Sequence, residues 1–165
     1  MKKRWLSLYV ENEIGVLARI SGMFSGKSYN LLSLTVGETE DTTVSRMTIS
    51  VESDDNTFEQ IKKQLNRCIE VIKVVDLTNV AVHMKEILYL KIHGCKEKEK
   101  NDLFHIAEVF KVNIVDLGKD SVLLECLQTE SRNNDIIRLI SDNYKQIEIV
   151  RGGSVAIESI SISER

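Results

Sequence analysis

The spacing of apolar residues changes period in the same order twice along this chain. Runs that alternate every second residue give way to runs spaced by three and four, and the order in each half is β-α-β-β-α-β. Two such units in succession imply two ferredoxin-like α+β domains. Each antiparallel sheet would carry its helices on one face, and the other face needs water or a partner. Strand two would sit at a sheet edge, and an edge must be managed. Pairing two such edges in a homodimer is one solution.

In the first half, strand one covers residues 4–10, with Leu6, Leu8 and Val10 on one face. Helix one covers residues 15–25, with Val16, Leu17, Ile20, Met23 and Phe24 at helix spacing and Gly26 as its C-cap. Strand two covers residues 31–38, where Leu32, Leu34 and Val36 alternate against Ser33 and Thr35. Glu40, Asp41 and Thr42 supply a polar hairpin turn into strand three, residues 44–52, with Met47, Ile49 and Val51 on one face. Residues 53–56 offer several N-cap candidates for helix two, which turns Phe58, Ile61, Leu65 and Cys68 inward. Strand four is residues 71–77.

A linker at residues 79–85 separates a first domain, 1–78, from a second, 86–165. The second opens with a strand at residues 86–95, where Leu88, Leu90 and Ile92 alternate against Tyr89 and Lys91. The charge run at 96–100 reads as a solvated helix start, continued by Leu103, Ile106, Ala107 and Phe110. Residues 114–117 and 122–127 form a hairpin across Gly118, Lys119 and Asp120. A helix over 131–144 carries Ile136, Ile137 and Ile140. The last strand starts at 147–150, is interrupted by Arg151-Gly152-Gly153, and resumes its alternation at Val155, Ile157, Ile160 and Ile162.

Composition closes off several classes. A 42% apolar content over 165 residues supports a buried core. A net charge of −3 argues against a nucleic-acid partner, and neither half contains a helix-turn-helix with a basic face, so an amino-acid-responsive transcription factor is disfavoured. No apolar run is long enough to span a membrane, and the N-terminal Met1-Lys2-Lys3-Arg4 leads into a strand rather than a signal-peptide core. Cys68, Cys95 and Cys126 are far apart and read as reduced residues of a cytoplasmic protein.

The passage from strand one to helix one, residues 11–17, is the place to look for chemistry. A new helix exposes backbone N–H groups that lack intrahelical partners, and such an end attracts a carboxylate. Gly15 has no Cβ, so a ligand can approach the backbone; Asn12 adds an amide that both donates and accepts. Two readings fit: a plain N-cap with a tight turn, or a ligand loop. Elsewhere, His93 and Cys95 lie two apart on a strand and share a face, and with His83 they suggest a soft-metal site, though a closed site needs more ligands. Cys95 with His105 suggests a nucleophile and base, but nothing orients that histidine. Tyr29 suits a ligand contact or a dimer seam, and Arg151 beside glycines suits an anion or a structural turn.

Glu11-Asn12-Glu13, Gly15-Val16-Leu17, Tyr29-Asn30, Ser33-Leu34-Thr35-Val36 and Ser45-Arg46-Met47-Thr48-Ile49 stand in one order and close spacing. Together they resemble the regulatory (small) subunit of acetohydroxyacid synthase, also called acetolactate synthase. The resemblance continues more loosely through Leu90-Lys91-Ile92, Ile114-Val115-Asp116 and Arg151-Gly152-Gly153. It implies that the first half is an ACT domain, a small-molecule-binding module, and that the protein is no enzyme. It implies a partner, the catalytic (large) subunit, which this chain would activate and make sensitive to feedback inhibition by valine in branched-chain amino acid biosynthesis. Thiamine diphosphate, Mg and FAD would belong to that partner alone, with no cofactor in this chain. The implied effector site lies between the ACT domains of a homodimer. Asn12 and Gly15 with neighbouring backbone come from one chain, and Asn30, Leu31 and Leu32 from the other; Val16, Leu17 and Leu31 enclose the branched side chain. Two positions depart from the family pattern. Ile14 stands where a small residue or proline is usual, and Ser28 replaces a glycine; if that glycine has positive φ, Ser28 carries about 1 kcal/mol of strain.

Overall fold

A computed structural model describes residues 1–160. In the first half the elements are β1 (Lys2–Glu11), α1 (Val16–Gly26), β2 (Leu31–Glu38), β3 (Val44–Ser53), α2 (Asp55–Leu65) and β4 (Val71–Asp76). The second half holds β5 (Val82–His93), α3 (Glu97–Phe110), β6 (Asn113–Leu117), β7 (Ser121–Gln128), α4 (Glu130–Asn143) and β8 (Ile147–Glu158). The sheets are ordered β2-β3-β1-β4 and β6-β7-β5-β8, the arrangement expected of two ferredoxin-like α+β folds. No described helix is long and apolar enough to cross a membrane.

Alternation explains the first core. Leu6, Leu8 and Val10 of β1 are fully buried beside Met47 and Ile49 of β3, under Ile20 and Phe24 of α1 and Phe58, Ile61 and Leu65 of α2. Each such side chain contributes roughly 1.5–3 kcal/mol relative to exposure. The second core repeats the scheme with Leu88, Leu90 and Ile92, Leu124 and Cys126, and Leu103, Ile136 and Ile140. Among the several cap candidates before α2, Asp54 caps the helix: its carboxylate accepts the Thr57 N–H at 2.7 Å. Cys68 lies past the end of α2 and is only half buried.

Backbone irregularities move several residues from their expected places. The β2–β3 register shifts between Leu31 and Ser33, so Leu31 takes the inward position and Leu32 is left exposed. Gly26 is the last helical residue of α1 and not a left-handed cap; the left-handed residue is Ser28, at φ 56°. Ser28 therefore does carry the positive φ anticipated for a glycine. Strand β5 begins at Val82, inside the stretch expected to be linker. Strand β8 runs unbroken through Arg151-Gly152-Gly153, and its burial is the reverse of the expected pattern: Ser154 and Ala156 are buried while Val155 and Ile157 are exposed. Ile162 lies outside the described residues.

That reversal has a cause. The contacts divide the chain into Met84–Gly153 and a unit made of Met1–His83 with the segment from Ser154 onward. Within this first unit, the Thr35 hydroxyl donates to the Ser154 carbonyl at 2.9 Å, which draws the segment over the outer face of the first sheet. Small side chains at 154 and 156 permit the close approach. Ser7, Thr48 and Ser50, all on that outer face, are consequently buried. The outer face of the second sheet instead leaves Ile87, Leu127 and Val150 exposed.

Gly152 packs against Ile87: a Cβ there would stand 2.5 Å from Ile87 Cγ2. Gly152→Ala is expected to cost about 1–3 kcal/mol through overpacking, measured as a lowered urea midpoint, and adding Ile87→Ala should recover most of it. A single variant as stable as the parent chain would contradict this contact.

Candidate functional site

Gly15 stands between β1 and α1 at φ 93° and ψ −12°, the left-handed region that glycine adopts without strain. The space beside it is open, since a Cβ built there would meet nothing within 4 Å. No side chain caps α1, and its first turn holds no acidic residue. The other helices are closed: α2 by Asp54, α3 by Glu99, which accepts the Lys96 N–H at 2.8 Å, and α4 by Thr129. The α1 N-terminus alone among them faces outward with its dipole unanswered.

Asn12 is more committed than its sequence position suggests. Its amide nitrogen donates to Glu38 Oε1 at 3.0 Å and to the Thr42 carbonyl at 2.9 Å. Its amide oxygen accepts from the Ser45 hydroxyl at 3.0 Å, and its backbone N–H donates to the Thr43 carbonyl at 2.7 Å. Both donors of the side chain are thus in use, so an acceptor on a ligand meets this amide only by displacing Glu38 or Thr42, while its oxygen keeps one lone pair beside the Ser45 bond. Glu38 and Ser45 are the residues that sequence reasoning missed, because they reach Asn12 through strand pairing. The turn below is held too: the Asp41 carboxylate accepts from the Thr43 N–H and hydroxyl, which lowers its pKa.

The other candidates divide by burial. Val16 is in the core and offers no wall to a ligand. Leu17 and Leu32 are exposed, Ile14 fully so, and Leu31 is half buried against the core. Asn30 is exposed in a cleft of about 430 Å³ with Lys27, Ser28 and Tyr29. Tyr29 meets Phe24 edge-on, ring centroids 6.3 Å apart. Glu38, next to Asn12, ends β2, whereas Asn30 precedes its start. At about 3.3 Å per residue the two ends of β2 are roughly 25 Å apart. One chain therefore does not bring Asn12 and Asn30 together.

The chemistry suggested for the second half is not assembled. Strand β5 ends at His93, Gly94 turns at φ 72°, and Cys95 drops into the core while His93 stays exposed, so the two do not share a face. Burial pushes the Cys95 thiol up, away from thiolate, and His105 is exposed on α3. Burial likewise pushes Cys126 up to about 11. Arg151 is no open anion site. It grips buried Glu86 through Nε at 2.9 Å and Nη2 at 2.8 Å, and donates to the Asn134 side-chain oxygen at 2.9 Å. Asn133, also buried, donates to Glu86 Oε2 at 3.0 Å.

Both halves of the chain, and their folds, match known proteins. Residues 6–73 match the family model of the AHAS small subunit-like ACT domain, and residues 85–160 match that of the small subunit of acetolactate synthase. The chain is 39% identical over 155 residues to the probable acetolactate synthase small subunit of Archaeoglobus fulgidus, covering 94% of this chain and 96% of that one. It is 35% identical over 159 residues to the acetolactate synthase isozyme 3 small subunit of Escherichia coli, covering 94% of each. The crystal structure of the Thermotoga maritima acetolactate synthase small subunit superimposes with a TM-score of 0.87 at 29% identity, covering 98% of this chain and 99% of that one.

The Glu86–Arg151 pair yields a stability test. Arg151→Met removes the guanidinium from a carboxylate that is 5% exposed. The expected loss is about 3 kcal/mol, the low end for breaking a buried pair because Arg151 is partly wet. Glu86→Met with Arg151→Met should restore most of it in a denaturant titration. A single variant at parental stability would show the pair to be idle.

Proposed function

Because this chain belongs to the acetolactate synthase small-subunit family, we propose that it is the non-catalytic regulatory partner of a catalytic large subunit, activating it and conferring feedback inhibition by valine. Thiamine diphosphate, Mg and FAD belong to the catalytic partner in this reading, and valine is the effector. The observation that carries the effector site is the open, uncapped start of α1 beside the left-handed Gly15.

The ligand chemistry follows from the turn. Valine is a zwitterion with a small apolar side chain. Its carboxylate meets the α1 N–H groups, an interaction worth about 0.3–1 kcal/mol at an exposed helix end and up to ~2 when partly buried. Its ammonium meets the amide oxygen of Asn30 from a second chain. Leu17 and Ile14 of one chain, with Leu31 and Leu32 of the other, cover the isopropyl group. Val16 supports the helix from the core and does not touch it. A homodimer supplies the second chain. Strand β2 is an edge, with Leu32 and Val36 exposed along it. Antiparallel pairing of two β2 edges sets the start of one strand beside the end of the other, which carries Asn30 across the ~25 Å that separates it from Asn12 within one chain. In the same reading the first unit carries the effector response and the second completes activation.

Gly15 variants separate geometry from charge. Gly15→Ala imposes left-handed strain of about 1–2 kcal/mol on the turn but adds no charge. Gly15→Asp adds a carboxylate against the ligand carboxylate, a repulsion of up to about 4 kcal/mol at 4 Å and an effective dielectric of 20. Calorimetry should find valine binding weakened in the first and abolished in the second. Asn30→Ala should lose about 1.5–3 kcal/mol, or roughly tenfold to a hundredfold in affinity. All these variants should still raise the rate of the catalytic subunit in a mixed assay. Unchanged valine sensitivity in Gly15→Asp refutes the turn site; no rate change and no co-elution with the catalytic subunit refutes the partnership.

Sedimentation tests the assembly. The chain should run as a dimer at micromolar concentration, and Val36→Lys on the edge strand should shift it toward monomer. A monomeric parent chain, with valine present or absent, excludes the β2 seam.

A further inference from the structure

The outer face of the first sheet carries a second cleft, of about 520 Å³, within the size range of small-molecule sites. All its lining residues belong to the first unit. Its floor is made by residues of the face turned away from α1 and α2: Tyr9, Arg46 and Thr48. Thr48 is 4% exposed, and its hydroxyl hydrogen-bonds to no other described residue. That hydroxyl is free to donate to whatever enters the cleft.

The charges of this cleft are held apart. Arg46 is fixed by its Nε, which donates to the buried Ser7 hydroxyl at 2.8 Å, and by the Tyr9 ring, 5.1 Å from the guanidinium carbon. Its remaining N–H groups form no ion pair among the described residues. Glu38 and Glu40 line the same cleft, yet neither carboxylate comes within 4.0 Å of the Arg46 guanidinium nitrogens. Val155 and Ile157 supply the apolar walls. A dicarboxylate would be repelled by the glutamates and a polyamine by Arg46, whereas a zwitterion satisfies both poles.

We propose that this cleft is a second amino-acid site, separate from the α1 turn, for an aliphatic L-α-amino acid. Arg46 takes the carboxylate, Glu40 takes the ammonium, Thr48 donates its hydroxyl to the carboxylate, and Val155 and Ile157 flank the side chain. The two sites share only Glu38, and neither requires the other.

Calorimetry with L-valine on the full chain tests it, with Gly15→Asp, Arg46→Gln and their combination beside the parent. The parent should bind two equivalents per chain, each single variant one, and the double variant none. Isovalerate and isobutylamine, each lacking one pole of valine, should bind the Gly15→Asp chain at least tenfold more weakly than valine does. Thr48→Val serves if Arg46→Gln fails to fold. It should weaken valine binding in the Gly15→Asp background while leaving the melting temperature of the ligand-free chain unchanged. One equivalent in the parent, abolished by Gly15→Asp and untouched by Arg46→Gln, overturns the cleft and leaves the turn site standing. One equivalent that survives Gly15→Asp and disappears with Arg46→Gln supports the cleft and removes the turn site.

Discussion

One amide fixes the geometry of the first unit. Asn12 ends β1, and through Glu38, Thr42 and Ser45 it ties that end to the β2–β3 hairpin. With the hairpin held, the chain leaves the sheet at one point, and Gly15 turns it into α1 in a conformation that other residues reach only under strain. Where α1 starts, and therefore where its dipole points, follows from a polar contact between segments some thirty residues apart in sequence. The core packing of Val16 and Ile20 sets the helix against the sheet; the Asn12 network sets its origin. The ion pair of Arg19 with Glu70 anchors the same helix to the loop before β4.

The two halves share a topology and solve its exposed face differently. In the first, Ser154 and Ala156 are small enough to lie on the sheet, and the hydroxyls of Ser7 and Ser50 are fully buried beneath. Polar residues under a covering strand keep hydrogen-bonding partners available, as in the 2.6 Å contact between Ser33 and Ser50. The second sheet carries Ile87 directly opposite Leu127 on its outer face, and both remain exposed. The two units thus share the inward pattern, which the core demands, and differ in the outward one. The inward set is constrained by packing on helices; the outward set answers only to what covers it.

Much of this was legible in the residues themselves. Leu6, Leu8 and Val10 declare β1, and Phe58, Ile61 and Leu65 declare α2, because burial on one face imposes a period. What was hidden depends on single backbone angles and distant partners. A bulge after Leu31 exchanges its role with Leu32, and no alternation count reveals a bulge. Gly94 separates His93 from Cys95 through one positive φ. Val155 and Ile157 alternate as a core strand would, but which face they turn inward is decided by the Thr35–Ser154 contact across the sheet. Glu38 and Ser45 became partners of Asn12 through strand register alone. The organising turn was visible; how fully its amide is occupied was not.

The separation of Asn12 from Asn30 has a thermodynamic consequence for the proposed effector site. A ligand that needs groups from both ends of β2 needs two chains, so its binding free energy is also dimerisation free energy. At a ligand concentration of 100 Kd, each site adds about 2.7 kcal/mol to the state that binds. The linkage is reciprocal: the factor by which dimerisation raises affinity for the ligand is the factor by which the ligand strengthens the dimer. Ser28 enters here. Its positive φ stores roughly 1–2 kcal/mol in the loop that presents Asn30. If a ligand relaxes that angle, the released strain adds to binding; if it must be kept, the strain is common to both states and cancels. The same residue thus tunes sensitivity only to the extent that φ 28 differs between the free and bound loop, which places control of affinity in the backbone beside the site as much as in the groups that touch the ligand.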